Sequence, residues 1–203
     1  MWNPHHRPAS KLAAAVCIAW MACGNADAQQ AKLLKYFRTT SFGGGGGSEF
    51  ENACPIPSVM TGIQARQGSW IDALAPICST YDRARRTFVQ TGNPPLVGGK
   101  GGGPAAINCL RPRGVVVNLE LMQANNHDGS VGLIAVTCGD YHDPGRFVGK
   151  VPGGATILGQ SQRGSTGARI VCPPPYIAGG LHGRAGAFID RIGLTCVNYQ
   201  PRQ

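Results

Sequence analysis

The chain carries 203 residues, a formal net charge of +9, 30 glycines and 15 prolines, with 14% of its residues charged. One domain with a sizeable core fits that length. Glycines that punctuate apolar runs of Val, Ile and Leu favour short strands joined by turns, and argue against a helical bundle or a disordered chain.

The first 28 residues read as an address. His5, His6, Arg7 and Lys11 make a polar, basic start, and Leu12 to Cys23 is an apolar run too short to span a bilayer as a helix. Ala26-Asp27-Ala28 supplies the small-x-small pattern of a signal peptide, so the expected cut follows Ala28. It removes Arg7, Lys11 and Asp27 and leaves the mature chain at about +8. Lipidation at Cys23 is the alternative, although Trp20 and Met21 precede that cysteine poorly for it. No later apolar run is long enough for a membrane span. The sequence therefore predicts a soluble protein that is secreted, or held in the periplasm or cell envelope. Residues 29–41 read as a leader, in which Ala31 to Phe37 forms a short strand or a frayed turn.

Residues 42–203 read as one domain of three repeats, about 42–81, 98–141 and 159–199. Glycine-rich segments lead into them: Gly43 to Gly47, Gly98 to Gly103 and, more loosely, Ser165 to Ala168. The first unit, CPIPSVMTGIQARQGSWIDALAPICSTY from Cys54, aligns without a gap with the last, CPPPYIAGGLHGRAGAFIDRIGLTCVNY from Cys172. The middle unit, from Cys109, keeps the cysteine, a proline three residues later, the apolar run Val115 to Leu121 and the closing Cys-x-x-Tyr. It expands its central turn with Asn125, Asn126, His127 and Asp128, and Gly132 stands where the others have aspartate. A supersecondary unit used three times explains this pattern. Each unit has room for about four short strands.

Six cysteines follow the signal segment, an even number that suits disulfides in an exported chain. Repetition favours one bridge per unit: Cys54–Cys78, Cys109–Cys138 and Cys172–Cys196. Each would staple the first strand of a unit to its last, worth roughly 3 kcal/mol on the chain-entropy model. No pair has the close C-x2-C spacing of a zinc site, so no metal is expected.

The string RQGSWID at 66–72 returns as RAGAFID at 184–190. Gly68 permits a tight turn. With Ile71 in the core, alternation places Trp70 and Asp72 on the opposite side. A carboxylate beside turn amides and an aromatic ring suits a sugar: the ionised Asp accepts from hydroxyls, backbone N–H groups donate, and the ring covers an apolar sugar face. The alternative is structural. Arg66 with Asp72, and Arg184 with Asp190, would form exposed ion pairs that shape the turn, worth about 0–1 kcal/mol each.

GSWID and GAFID resemble the G-x-x-x-D loop of jacalin-related lectins. IDALAPIC and IDRIGLTC resemble the late strands of that family, and Gly43 to Gly47 resembles its second sugar-facing loop. The three-unit layout with internal cysteines is similar to vitelline membrane outer layer protein I. Over residues 42–199 the resemblance implies an all-β, β-prism I fold: three four-stranded Greek-key sheets about a pseudo-threefold axis, here stapled by disulfides. It implies two carbohydrate sites, Gly68, Ser69, Trp70 and Asp72 in one, Gly186, Ala187, Phe188 and Asp190 in the other. Gly43 and Gly44, with Gly98 and Gly99, would supply backbone donors nearby. The middle unit, lacking the aspartate, departs from the pattern, as does the disulfide framework. Membership of the fold does not by itself license sugar binding.

Other constellations carry less. His127-Asp128 and His142-Asp143 read as surface turns, without a nucleophile beside them. Asp72 and Asp190 belong to different units and do not read as a glycosidase pair. Lys100 in GGKGGG lacks the rest of a phosphate loop. Arg83, Arg85 and Arg86 read as a solvated strand edge, or as a contact for an anionic surface. No interleaved aromatics point to specific nucleic-acid binding. The sequence thus predicts non-catalytic, calcium-free binding of glycans or a polysaccharide surface, with no cofactor. The alternative is a structural envelope or extracellular-matrix protein.

Overall fold

The computed structural model describes residues 32–109, 112–124, 129–146, 157–160 and 165–200. The signal segment with Cys23, and the expanded turn at Asn125 to Asp128, lie outside the described residues. Every regular element among them is a strand. In chain order these are β1 (Lys32–Arg38), β2 (Phe42–Gly43), β3 (Ser48–Ala53), β4 (Val59–Gln67), β5 (Ile71–Asp82), β6 (Thr87–Gln90), β7 (Val97–Gly98), β8 (Gly103–Asn108), β9 (Gly114–Gln123), β10 (Val131–Asp140), β11 (Ile157–Gly159), β12 (Gly167–Val171), β13 (Ile177–Ala185) and β14 (Ile189–Gln200).

The repeated cysteine segments are the hairpins β4–β5, β9–β10 and β13–β14, each the centre of one antiparallel sheet. The chain leaving β5 runs back along it as β6 and β7, then crosses the hairpin tip to pair with β4 as β8. β11 and β12 flank β10 and β9 in the same way. The last hairpin, β13–β14, is flanked by β1, β2 and β3 from the other end of the chain. Lys32–Arg38, read from sequence as part of a leader, is therefore an edge strand of the closing sheet.

This is the expected Greek-key order in each sheet, but the sheets are out of phase with the sequence repeats. A glycine-rich lead pairs with the hairpin of the preceding repeat, or for the first lead with that of the last repeat, not with its own. Each sheet is four strand positions wide, and in two of them the outer strand is broken so that five segments result. Pro94 and Pro95 fall in the break between β6 and β7, where they cannot donate to a ladder. Between β1 and β2, Leu194 N donates to Thr39 Oγ1 at 2.9 Å.

The inward faces meet in one apolar core. Ile63 and Leu74, Leu119 and Ile134, Leu181 and Ile192 come from the three sheets and are all fully buried. A smaller cluster of Val59, Val115, Val117, Ile177 and Val197, flanked by Phe88 and Tyr141, fills the end away from the hairpin tips. The bridges Cys54–Cys78, Cys109–Cys138 and Cys172–Cys196 stay within single repeats, as repetition favours. Each ties the segment entering a hairpin to that hairpin's second strand.

The Cys109–Cys138 bridge closes the longest of the three loops, at a sequence separation of 29. Replacing both cysteines by alanine should lower the unfolding free energy by about 2–4 kcal/mol in a denaturant titration. A loss under about 0.5 kcal/mol would show that this staple does not constrain the unfolded chain.

Candidate functional site

In all three hairpins the second strand carries one extra residue near its start. Gln67 pairs with Ile71 and Arg66 with Ala73, so Asp72 is unpaired between them. Ala185 pairs with Ile189 and Arg184 with Arg191, leaving Asp190. Gln123 pairs with Val131 and Met122 with Leu133, leaving Gly132. These are β-bulges, which re-aim a side chain out of strict alternation. Ile71 and Ile189 point into the core, as expected. Asp72 does not lie on an open outer face, as alternation predicts. It is 7% exposed, and its carboxylate turns toward the glycine-rich crossover. Asp190 is half-buried in the same setting.

The crossover passes over each bulge at close range. Gly99 N donates to the Asp72 carbonyl, and Gly44 N to the Asp190 carbonyl, both at 2.8 Å. Methyl groups on Gly101 and Gly102 would strike the Asp72 carboxylate, and on Gly46 and Gly47 that of Asp190. Only glycine allows this approach. Gly47 and Gly102 also share φ of 61°, in the left-handed region. So Gly43 and Gly44 serve Asp190, and Gly98 and Gly99 serve Asp72.

The arginines of the repeated string have a role that the sequence reading missed. Arg66 donates to the carbonyls of Gly101 and Gly102, each at 2.6 Å. Arg184 donates to those of Gly46 at 2.8 Å and Gly47 at 2.6 Å. Among the described residues, no ion pair joins either arginine to its aspartate. The arginines clamp the loops instead of pairing with the aspartates. A signal for this was present: the middle hairpin, which lacks the aspartate, has Met122 at the arginine's register position.

The tips also touch one another. A methyl on Gly99 would strike the Ala187 carbonyl of the neighbouring tip, and one on Gly129 would come to 3.0 Å from Gly44 Cα. Gly159 N donates to Gln67 Oε1 at 2.6 Å. Each crossover thus rests on the hairpin tip of an adjacent sheet. Trp70 and Phe188 meet there edge to face, ring centroids 5.2 Å apart. The two rings pack on each other where the tips converge. Gly68, Ser69, Gly186 and Ala187 form the exposed turns of the tips. In the middle unit a methyl on Gly132 would come to 3.1 Å from Ala124 Cα, so the bulge there is tight as well as uncharged.

The other singled-out residues lie elsewhere. Arg83, Arg85 and Arg86 are exposed in the turn after β5, about 33 Å along that strand from Asp72. Arg85 pairs with Asp82 at 3.5 Å. His142 is exposed and packs edge-on against Tyr81. Lys100 is exposed in the Gly98 crossover. Among the described residues, no group of three His, Cys, Asp or Glu side chains could hold a metal. No helix of the described residues is long and apolar enough to cross a membrane.

Arg66→Ala should speed amide hydrogen exchange across residues 99–103 and cost about 1–2 kcal/mol of stability. Unchanged exchange in that loop would show that the clamp does not hold it.

No family model matches the sequence, and no curated protein matches it either. Solved structures do match. Malaysian banana lectin is 20% identical over 83% of this chain and 100% of its own, at a TM-score of 0.53. Artocarpin complexed with methyl-α-mannose is 16% identical over 81% of this chain and 99% of its own, at 0.56. A mannose-binding jacalin-related lectin from Ananas comosus is 18% identical over 81% and 99%, at 0.53. At these identities the likeness is one of architecture, and it is consistent across the three lectins. With three curled antiparallel sheets, a common core and N-to-C closure, this chain has the β-prism fold of the jacalin-related lectins.

Proposed function

We propose that this protein binds carbohydrate without catalysis, at two pockets built on the bulged aspartates. One comprises Gly68, Ser69, Trp70, Asp72 and the crossover from Gly98 and Gly99. The other comprises Gly186, Ala187, Phe188, Asp190 and the crossover from Gly43 and Gly44. The observation that carries this reading is the twice-built geometry: a carboxylate re-aimed by a bulge, beneath a loop of glycines that an arginine holds in place. An ionised carboxylate accepts from adjacent sugar hydroxyls, and an exposed glycine backbone donates without side chains in the way. Two of the structural neighbours support it, since one is named for binding mannose and another was solved with a mannoside.

Single shallow sugar sites bind on the order of mM, about 4 kcal/mol. Two sites on one end of the molecule would raise avidity for a polyvalent glycan surface. Export fits this use: the first 28 residues have the signal-peptide pattern, and three disulfides suit an oxidising compartment.

One observation favours the structural alternative for half of the site. Asp72, at 7% exposure, leaves little carboxylate for a ligand without movement of its crossover. Glycan-array or titration measurements with Asp72→Ala, Asp190→Ala and the double variant separate the readings. Sugar binding predicts that Asp190→Ala loses at least tenfold in apparent affinity and that the double variant loses all detectable binding. Unchanged glycan binding in the double variant rejects these pockets. A wild-type chain that retains no glycan, with Asp72→Ala lowering thermal stability, would establish the envelope or matrix role.

A further inference from the structure

The two halves of the site differ beneath the loops. On the outer face of the sheet that carries Asp190, a hollow of about 190 Å³ opens among Arg38, Glu49, Phe50, His182, Arg184 and Arg191. It borders the Gly43–Gly47 crossover, since Arg184 holds Gly46 and Gly47, and Arg191 donates to the Gly43 carbonyl at 3.3 Å. Arg184 and Arg191 are direct register partners on β13 and β14. Like charges opposite each other across a ladder are destabilising unless something offsets them.

Two of the three arginines have a counter-ion. Arg38 pairs with Glu51, and Arg184 with Glu49 at 3.5 Å. Among the described residues no carboxylate pairs with Arg191. Its Nε is buried and makes no hydrogen bond there. A guanidinium with an unspent buried donor and an unmatched charge is a ready partner for an anion. His182 shapes the wall without adding charge at neutral pH. Burial, and then the neighbouring Arg38, push its pKa below the ordinary imidazole value.

The sheet that carries Asp72 differs at the matching positions. Gln64 stands at the position of His182 and Ala73 at that of Arg191, so Arg66 faces an alanine across the ladder. We propose that the hollow beside Arg191 takes the anionic group, a carboxylate or a sulfate ester, of an acidic sugar residue in a glycan held at Asp190. The Asp190 pocket is then selective for acidic glycans and the Asp72 pocket for neutral ones. This rests on the sugar-binding reading above.

The test is an array of neutral oligosaccharides printed beside their uronate and sulfated counterparts, read as the ratio of acidic to neutral affinity for the full chain. Asp72→Ala, which keeps only the Asp190 pocket, should favour an acidic member about tenfold. Asp190→Ala, which keeps the basic charge of the chain, should show a ratio near one. Arg191→Gln should bring the ratio near one, and Arg191→Lys should retain a preference of several-fold. A gain for both acidic forms supports a site that reads charge; a gain for one supports the site and names its group. A ratio near one in Asp72→Ala, or a preference that survives Arg191→Gln, overturns the proposal while leaving sugar binding intact. A chain that retains no glycan at all overturns both.

Discussion

A single extra residue in the second strand of each hairpin sets the geometry of the whole tip. It releases Asp72 and Asp190 from the alternation that fixes Ile71 and Ile189 in the core, and swings their carboxylates under the crossover. That position is tolerable only because the crossover is glycine. Any Cβ at Gly46 or Gly101 would meet the aspartate. A loop of glycines is entropically costly to order. Arg66 and Arg184 offset that cost by gathering two carbonyls each. Bulge, glycines and arginine therefore form one device, and in the middle hairpin, where Gly132 replaces the aspartate, the arginine is absent too.

The device works because the sheets close on one another. Each crossover belongs to the hairpin it flanks and rests on the tip of the next: Gly99 on Ala187, Gly44 on Gly129, and Gly159 on Gln67. The third sheet, although its bulge carries Gly132 in place of an aspartate, completes this ring and so helps to place the other two. The Trp70–Phe188 contact joins the two aspartate-bearing tips directly. Closure itself depends on the N-terminal strands. β1, β2 and β3 flank the last hairpin, and the loop that serves Asp190 lies between β2 and β3.

The strands and the disulfide pairing were legible in the sequence because each is a local signal. Cysteine spacing, glycine punctuation and the Arg-x-Gly-x-aromatic-Ile-Asp string recur within single hairpins. The geometry of the hairpin tips was half legible. The aspartates and turn glycines stood out, but their aim did not, because a bulge is a property of register between two strands and not of either alone. Strict alternation put Asp72 on an open face, and a six-residue spacing paired it with Arg66; both readings lacked the crossover that lies between them. The assignment of Gly43 to Gly47 to Asp190 is set by chain closure, which no local pattern encodes. Arg191 and His182 drew no notice for the same reason, since their meaning lies in what Ala73 and Gln64 are not.

Amide chemical-shift mapping of the full chain, titrated with a glycan that it retains on an array, tests the central claim most directly. The account predicts that the largest shifts fall in two groups, residues 43–47 with 186–190 and residues 98–102 with 68–72. It also predicts that Arg66→Ala and Arg184→Ala weaken one group each. Shifts centred on the opposite end of the strands, around Tyr81, Arg83 and Tyr141, would contradict it.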